Sequence, residues 1–283
     1  MRARERCGPE DDKQRSLHAR PAAVCAVLNF FESLIRWREL IAVFAFHRMT
    51  ARYRSSWLGP LWIALSFIIF AGGIAGMWSM FFDRPFSDFF PYVALGLFSW
   101  NLTGGVMVDS ARSLQQSKNI LLQSSVPTHI FPIIGAVKNI FVIPHYLIVC
   151  IPIFVIFHGE YSLRLLWLIP GFALLFAFMA ATSLLLGYLG AYFADLAELL
   201  ANGLRFVFFF TPILWTTDMR PGMPPIWLLN PFYYVVELIR GPALGTSDPV
   251  FIYSMVAGGT AVIALAAGLI IFVLRDTVRL RIS

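Results

Sequence analysis

The chain has 283 residues, of which 13% are charged, 58% hydrophobic and 16% aromatic, more apolar surface than one soluble core of this size encloses. Its net charge of +6 does not mark a nucleic-acid protein, because eleven of the 22 Lys and Arg precede residue 55, interleaved with acidic residues. These features exclude an ordinary soluble domain and predict an all-α integral membrane protein with a basic cytoplasmic flank.

Residues 1–30 read as a cytoplasmic tail, polar and charged over the first twenty residues and too poor in aromatics to offset the entropy of ordering. A cleaved signal peptide is not expected, since Pro21 to Phe31 runs into Glu32 without a small-residue cleavage site. Residues 31–58 are expected to hold an amphipathic helix on the cytoplasmic interface. Within it Glu32, Arg36 and Glu39 share one face, and Leu34, Ile35, Ile41 and Phe44 lie mostly elsewhere. A solvated helix packed on protein fits this pattern equally well.

Residues 59–283 form the expected transmembrane domain. A hydrocarbon core of ~30 Å needs roughly 20 helical residues. Six spans follow, at about 60–82, 89–109, 131–158, 165–193, 199–217 and 250–274, the fifth containing Arg205. This topology puts eighteen basic residues inside and four outside, with both termini cytoplasmic. The cytoplasmic connection from Ser110 to Thr128 is expected to form a short projecting helix. The external one, Asp218 to Asp248, is broken by five prolines and fits short re-entrant or interfacial helices.

The sequence contains no G-x-x-x-x-G-K-[ST] phosphate loop, so nucleotide hydrolysis is expected on another chain. The five histidines lack metal-ligand spacing, and His145 reads as a packing residue inside the third span. Cys7, Cys25 and Cys150 are expected to be free thiols. Acidic residues are nearly missing from the span interiors, Asp109 and Asp195 falling at span ends. That weighs against a proton- or sodium-coupled carrier and against an embedded hydrolase or transferase.

From Arg52 to Trp62 the sequence RYRSSWLGPLW resembles the entry to the first span of the polysaccharide-export permeases of type-2 ABC transporters. Further segments are similar to that family in the same order: Asn119-Ile-Leu-Leu with Val126-Pro127, Tyr192-Phe-Ala-Asp195, Thr211-Pro-Ile-Leu-Trp215, and Asn230-Pro-Phe-Tyr with Glu237 and Arg240. Ala194 stands where the family often carries Arg before the Asp, so an ion-pair role is not transferred there.

The resemblance implies a homodimeric inner-membrane permease bound to a cytoplasmic ATPase dimer. That partner uses ATP and Mg, and this chain binds no cofactor, metal or nucleic acid itself. A lipid-linked polysaccharide, O-antigen above all, would pass between protomers amid membrane lipids. Teichoic acid, capsule or another amphiphile is the alternative cargo, and a glycolipid-modifying enzyme the alternative class.

Under that implication Ser117, Lys118, Asn119, Leu121, Leu122, Gln123 and Ser125 form the ATPase-coupling loop, braced by the amphipathic helix. Trp78, Trp100, Phe206, Phe209, Trp215, Asn230, Phe232, Tyr233 and Arg240 are candidates for the pathway wall or gate, since aromatic rings stack on sugar faces without demanding one hydroxyl pattern. An interfacial aromatic belt or helix packing is the alternative for each ring. Arg52, Arg54 and Arg205 are candidates for the carrier pyrophosphate, with topology anchoring or anionic-lipid contact as the other reading.

Overall fold

The computed structural model describes residues 22–51, 53–157, 163–216 and 225–274, together with 277, 278 and 281. Among these residues the chain is all helical, with ten α-helices. Two short helices open it, α1 (Ala22–Arg36) and α2 (Arg38–Ala51). The long helices are α3 (Leu61–Phe82), α4 (Phe86–Gln116), α6 (Ile130–Phe157), α7 (Leu168–Tyr192, entered through a 3-10 turn at Leu163–Trp167) and α10 (Pro249–Leu274). Short ones connect them: α5 (Lys118–Gln123), α8 (Leu196–Phe210) and α9 (Pro231–Leu244).

Helix begins at Ala22 rather than near residue 31, and the expected interface helix is two helices that meet at Trp37 and end at Ala51. The apolar stretch from Ala22 to Phe31 supplies the extra turns. Residues 53–60 form successive tight turns up to α3. The first twenty-one residues, Arg52 and the segment 217–224 lie outside the described residues.

Among the described residues four helical segments, not six, are long and apolar enough to cross a bilayer: Leu61–Phe82, Ile130–Phe157, Leu163–Tyr192 and Pro249–Leu274. The other two expected spans fall short for different reasons. Helix α4 is 31 residues long, but it packs against α3, α6, α7, α8 and α9 and carries buried Ser99, Thr103, Ser110 and Ser113. A helix enclosed by protein need not be lipophilic. Helix α8 has only 15 residues, a rise of about 22 Å, before helical bonding stops at Thr211.

The apolar drive that buries side chains in water is absent between helices in lipid, so close packing and internal hydrogen bonds must hold the bundle. Both occur where α4, α6 and α7 cross. A Cβ at Gly190 of α7 would overlap the carbonyl of Ala111 on α4, so the two backbones touch there. Alongside, Ser110 donates to Ser183 at 2.8 Å, and Ser183 in turn donates to the carbonyl of Pro132. Gln115 Nε2 donates to the carbonyl of Gly190 at 2.6 Å.

Two apolar clusters lie on either side of this crossing. One gathers Phe67, Phe98, Leu102, Leu175, Met179, Ile213, Leu238 and Ile252, and the other gathers Ile41, Leu114, Leu121, Ile130, Phe131, Tyr188 and Val278. The outward faces of α3 and α10 carry exposed Ile69, Phe70, Val262, Leu265 and Phe272. Helix α6 contains Pro144 and Pro152, each of which removes one backbone donor from its ladder.

Candidate functional site

Helix α9 is specified locally. Asn230 caps it by accepting from the Phe232 amide at 3.0 Å, Pro231 occupies its first turn, and Gly245 at φ +70° ends it. This frame aims two charges, three residues apart, into the protein. Arg240 is 0% exposed and Glu237 2%. The guanidinium pairs with one carboxylate oxygen, with Nε to Oε1 at 2.9 Å, and the other oxygen accepts from Thr246 at 2.6 Å and Ser247 at 2.9 Å.

The same guanidinium reaches the break after α8. Its Nη1 donates to the carbonyl of Pro212 at 2.6 Å, and its plane lies 3.9 Å over the ring of Tyr92. The Tyr92 hydroxyl reaches the carbonyls of Pro212 at 3.0 Å and Trp215 at 3.1 Å. Asn230 donates to Thr211 Oγ1 at 2.8 Å, and Trp215 Nε1 to the carbonyl of Phe209 at 3.2 Å. Backbone that leaves the helical ladder inside a protein must find other partners, and this network supplies them to the carbonyls of Phe209, Pro212 and Trp215. Arg240 therefore fastens the break to α9 and has no exposed surface within the chain. Its signal in the sequence is an i,i+3 pair of opposite charges in an apolar stretch.

Around this break several of the expected aromatic residues converge. Trp100 of α4 lies 5.4 Å from Phe208 and 5.3 Å from Phe232, and Trp215 lies 6.0 Å from Trp227. Phe206 and Phe209 point outward from α8 and are exposed, whereas Tyr233 is buried and touches Tyr234. Trp78 stands apart from this group on α3, its ring partners being Phe81 and Phe82 of its own helix.

At the other end of the bundle, α5 presents two faces. Leu121 is 1% exposed within the second cluster, whereas Leu122 is 49% exposed. Lys118, Asn119, Gln123 and Ser125 are exposed as well, and Ser117 is buried and accepts from Arg48. Glu32, Arg36 and Glu39 are exposed on α1 and α2, beside exposed Phe31, Ile35, Val43 and Phe46. Burial pushes the His129 imidazole, just before α6, down to about 4.

Four charges on α4, α6 and α8 are paired across helices, which sequence position did not show. Arg112 pairs with Glu198 of α8, and Lys138 of α6 pairs with Asp109 of α4. Arg54 and Arg205 are exposed, and Arg52 lies outside the described residues. Among the described residues no three His, Cys, Asp or Glu side chains converge to hold a metal.

Long apolar helices around a less apolar central one, with a polar-pinned break at the end of α8, define the class: an all-α, multi-pass membrane protein. No protein-family model matches the chain. Two curated relatives, each an O-antigen export system permease protein RfbA of Klebsiella pneumoniae, are 26% and 25% identical to it over 190 residues. Those matches cover 65% of this chain and 71% of each relative. By homology the chain thus resembles the polysaccharide-export permeases, and its coarse role is that of a membrane permease subunit related to those systems.

Proposed function

We propose that this chain is the permease subunit of an ATP-driven exporter that carries a polyprenyl-linked polysaccharide, O-antigen in the first instance, out across the bacterial inner membrane. ATP and Mg act on a separate cytoplasmic ATPase dimer, and two copies of the permease enclose the path. In this reading the chain passes six times with both termini inside, α4 being the pass enclosed by the other helices and the α8 segment a short pass with an open face, and α9 is re-entrant.

The observation that carries the reading is the similarity to two O-antigen export permeases over 190 residues. Helix α8 supports the dimer and the path. Its exposed face mixes Leu199, Phe206 and Phe209 with Glu198, Asn202 and Arg205, a combination suited to neither lipid nor a sealed core. Such a face fits a wet passage lined by rings that stack on sugars. The exposed side of α5 is then the surface on which the ATPase acts, and Arg54 and Arg205 remain candidates for the carrier pyrophosphate.

The test is transport in inverted membrane vesicles containing the chain and a co-expressed ABC ATPase. ATP-dependent entry of an undecaprenyl-linked O-polysaccharide into the lumen, lost when the permease is omitted, is the expected result. Modification of the lipid-linked sugar by the chain alone, without nucleotide, would replace the transport reading with an enzymatic one.

A further inference from the structure

Two interhelical polar contacts of α1 and α2 fall on opposite ends of a single segment. At its start, Arg48 Nη2 of α2 donates to Ser117 Oγ at 3.0 Å, and Ser117 is only 2% exposed. Asp109, whose charge also acts on Arg48, is already paired with Lys138. At its end, His129 Nε2 lies 2.6 Å from Ser33 Oγ of α1. The Ser33 hydroxyl spends its one proton on the carbonyl of Phe30 at 2.7 Å, so the imidazole donates and the serine accepts. The Phe30 ring closes over the imidazole, 5.0 Å between centroids.

Between these ends Leu121 and Val126 sit in one apolar cluster with Ile41 and Ala45 of α2. The two gripping helices are nearly one rod, for i to i−4 bonding persists across the junction from Trp37 to Ser33 at 3.0 Å and from Ile41 to Trp37 at 2.9 Å. A single contact would leave a hinge about which the segment could turn. Two contacts, at residues 117 and 129 with packing between, remove that rotation. Beyond α2 the chain turns sharply through residues 53–60 into α3, with Gly59 at φ +53° in a conformation other residues rarely adopt.

We propose that Arg48 and Ser33 are positioning residues of a two-point clasp. Helices α1 and α2 hold segment 117–129 at Ser117 and His129, so a push on the exposed face of α5 is delivered through α2 and the Gly59 corner to α3. The direction of the push rests on α5 being the ATPase contact, whereas the clasp itself does not depend on it.

The test has two arms on the full-length chain. In lipid nanodiscs without partner, amide hydrogen exchange is followed in Arg48→Gln, Ser33→Ala and the double variant, with Arg48→Lys as the rescue. Exchange over residues 117–129 rises about tenfold in the double variant and stays near the parent rate in Arg48→Lys, which keeps a cationic donor. Unchanged exchange in the double variant overturns the clasp, and the single variants decide the matter should the double variant fail to insert.

In proteoliposomes with the co-purified ATPase, the double variant keeps hydrolysis within about twofold while export per ATP falls about fivefold. Export per ATP equal to that of the parent overturns the transmission. A parent chain that recruits no ATPase removes the assignment of α5 instead, and the exchange arm still decides the clasp.

Discussion

Tyr92 and Arg240 donate to the same oxygen, the carbonyl of Pro212, while the guanidinium of one lies on the ring of the other. The break after α8 is thereby tied to α4 and α9 at a single atom. The carboxylate of Glu237 keeps the guanidinium neutralised in a site with no exposed surface.

Removing one partner of a buried pair strands the other charge, at a cost of about 3–5 kcal/mol. Arg240→Ala and Glu237→Ala are each expected to lower the thermal midpoint of the detergent-solubilised protein markedly. Tyr92→Phe loses hydrogen bonds only, roughly 1 kcal/mol. Unfolding curves followed by intrinsic fluorescence check the order, and a parental midpoint for Arg240→Ala would refute the fastener role.

The two leucines of α5 separate folding from coupling. Leu121→Asp places an unpaired charge in the second cluster and is expected to reduce the yield of folded protein. Leu122→Asp changes an exposed face, so insertion is expected to persist, and under the proposed coupling role of α5 ATP-driven export is expected to fail. Size-exclusion profiles and vesicle transport distinguish the two, and normal export by Leu122→Asp would dismiss α5 as the driven element.

His129 gives a pH dependence of definite sign. Its buried imidazole titrates at about 4 against 6.5 when exposed, so the unfolded chain binds more protons between those values. Its contribution to stability is complete above about pH 6.5 and declines as the pH falls toward 4, by about 2 kcal/mol at pH 5. Thermal midpoints at pH 7 and pH 5 should differ less in His129→Gln than in the parent. Equal differences would show that another group governs the acid side.

Close helix approach is testable with one added methyl group. Gly190→Ala overlaps the carbonyl of Ala111 and is expected to disrupt the crossing of α4 and α7, whereas Gly203→Ala on α8 meets no atom within 4 Å. Protease resistance of the membrane-inserted variants reports the contrast, and equal resistance would mean that the crossing relaxes freely.

Apolar run length located α3, α6, α7 and α10, because a helix that faces lipid must declare itself in hydropathy. It could not separate α4 or α8 from them. Helix α4 tolerates buried hydroxyls because other helices surround it, and α8 stops at Thr211 although apolar residues continue through Ile213 and Leu214. The aromatic residues near Trp100 were legible by type, but their convergence with Phe208 and Phe232 depends on packing between separate helices. The burial of Arg240 was not legible, because an arginine ordinarily keeps its charge near water and nothing local in the sequence reveals its contacts with Tyr92 and Pro212. The Ser33 to His129 contact joins residues 96 positions apart, beyond the reach of any periodicity.

The prolines at 144 and 152 divide α6 into three stiff pieces. A rod weakened at two turns yields by bending before it slides. Tilt of the piece that begins at Ile130 and Phe131 need not disturb the piece that holds Ile153, so a movement in one apolar cluster is not passed whole to the other.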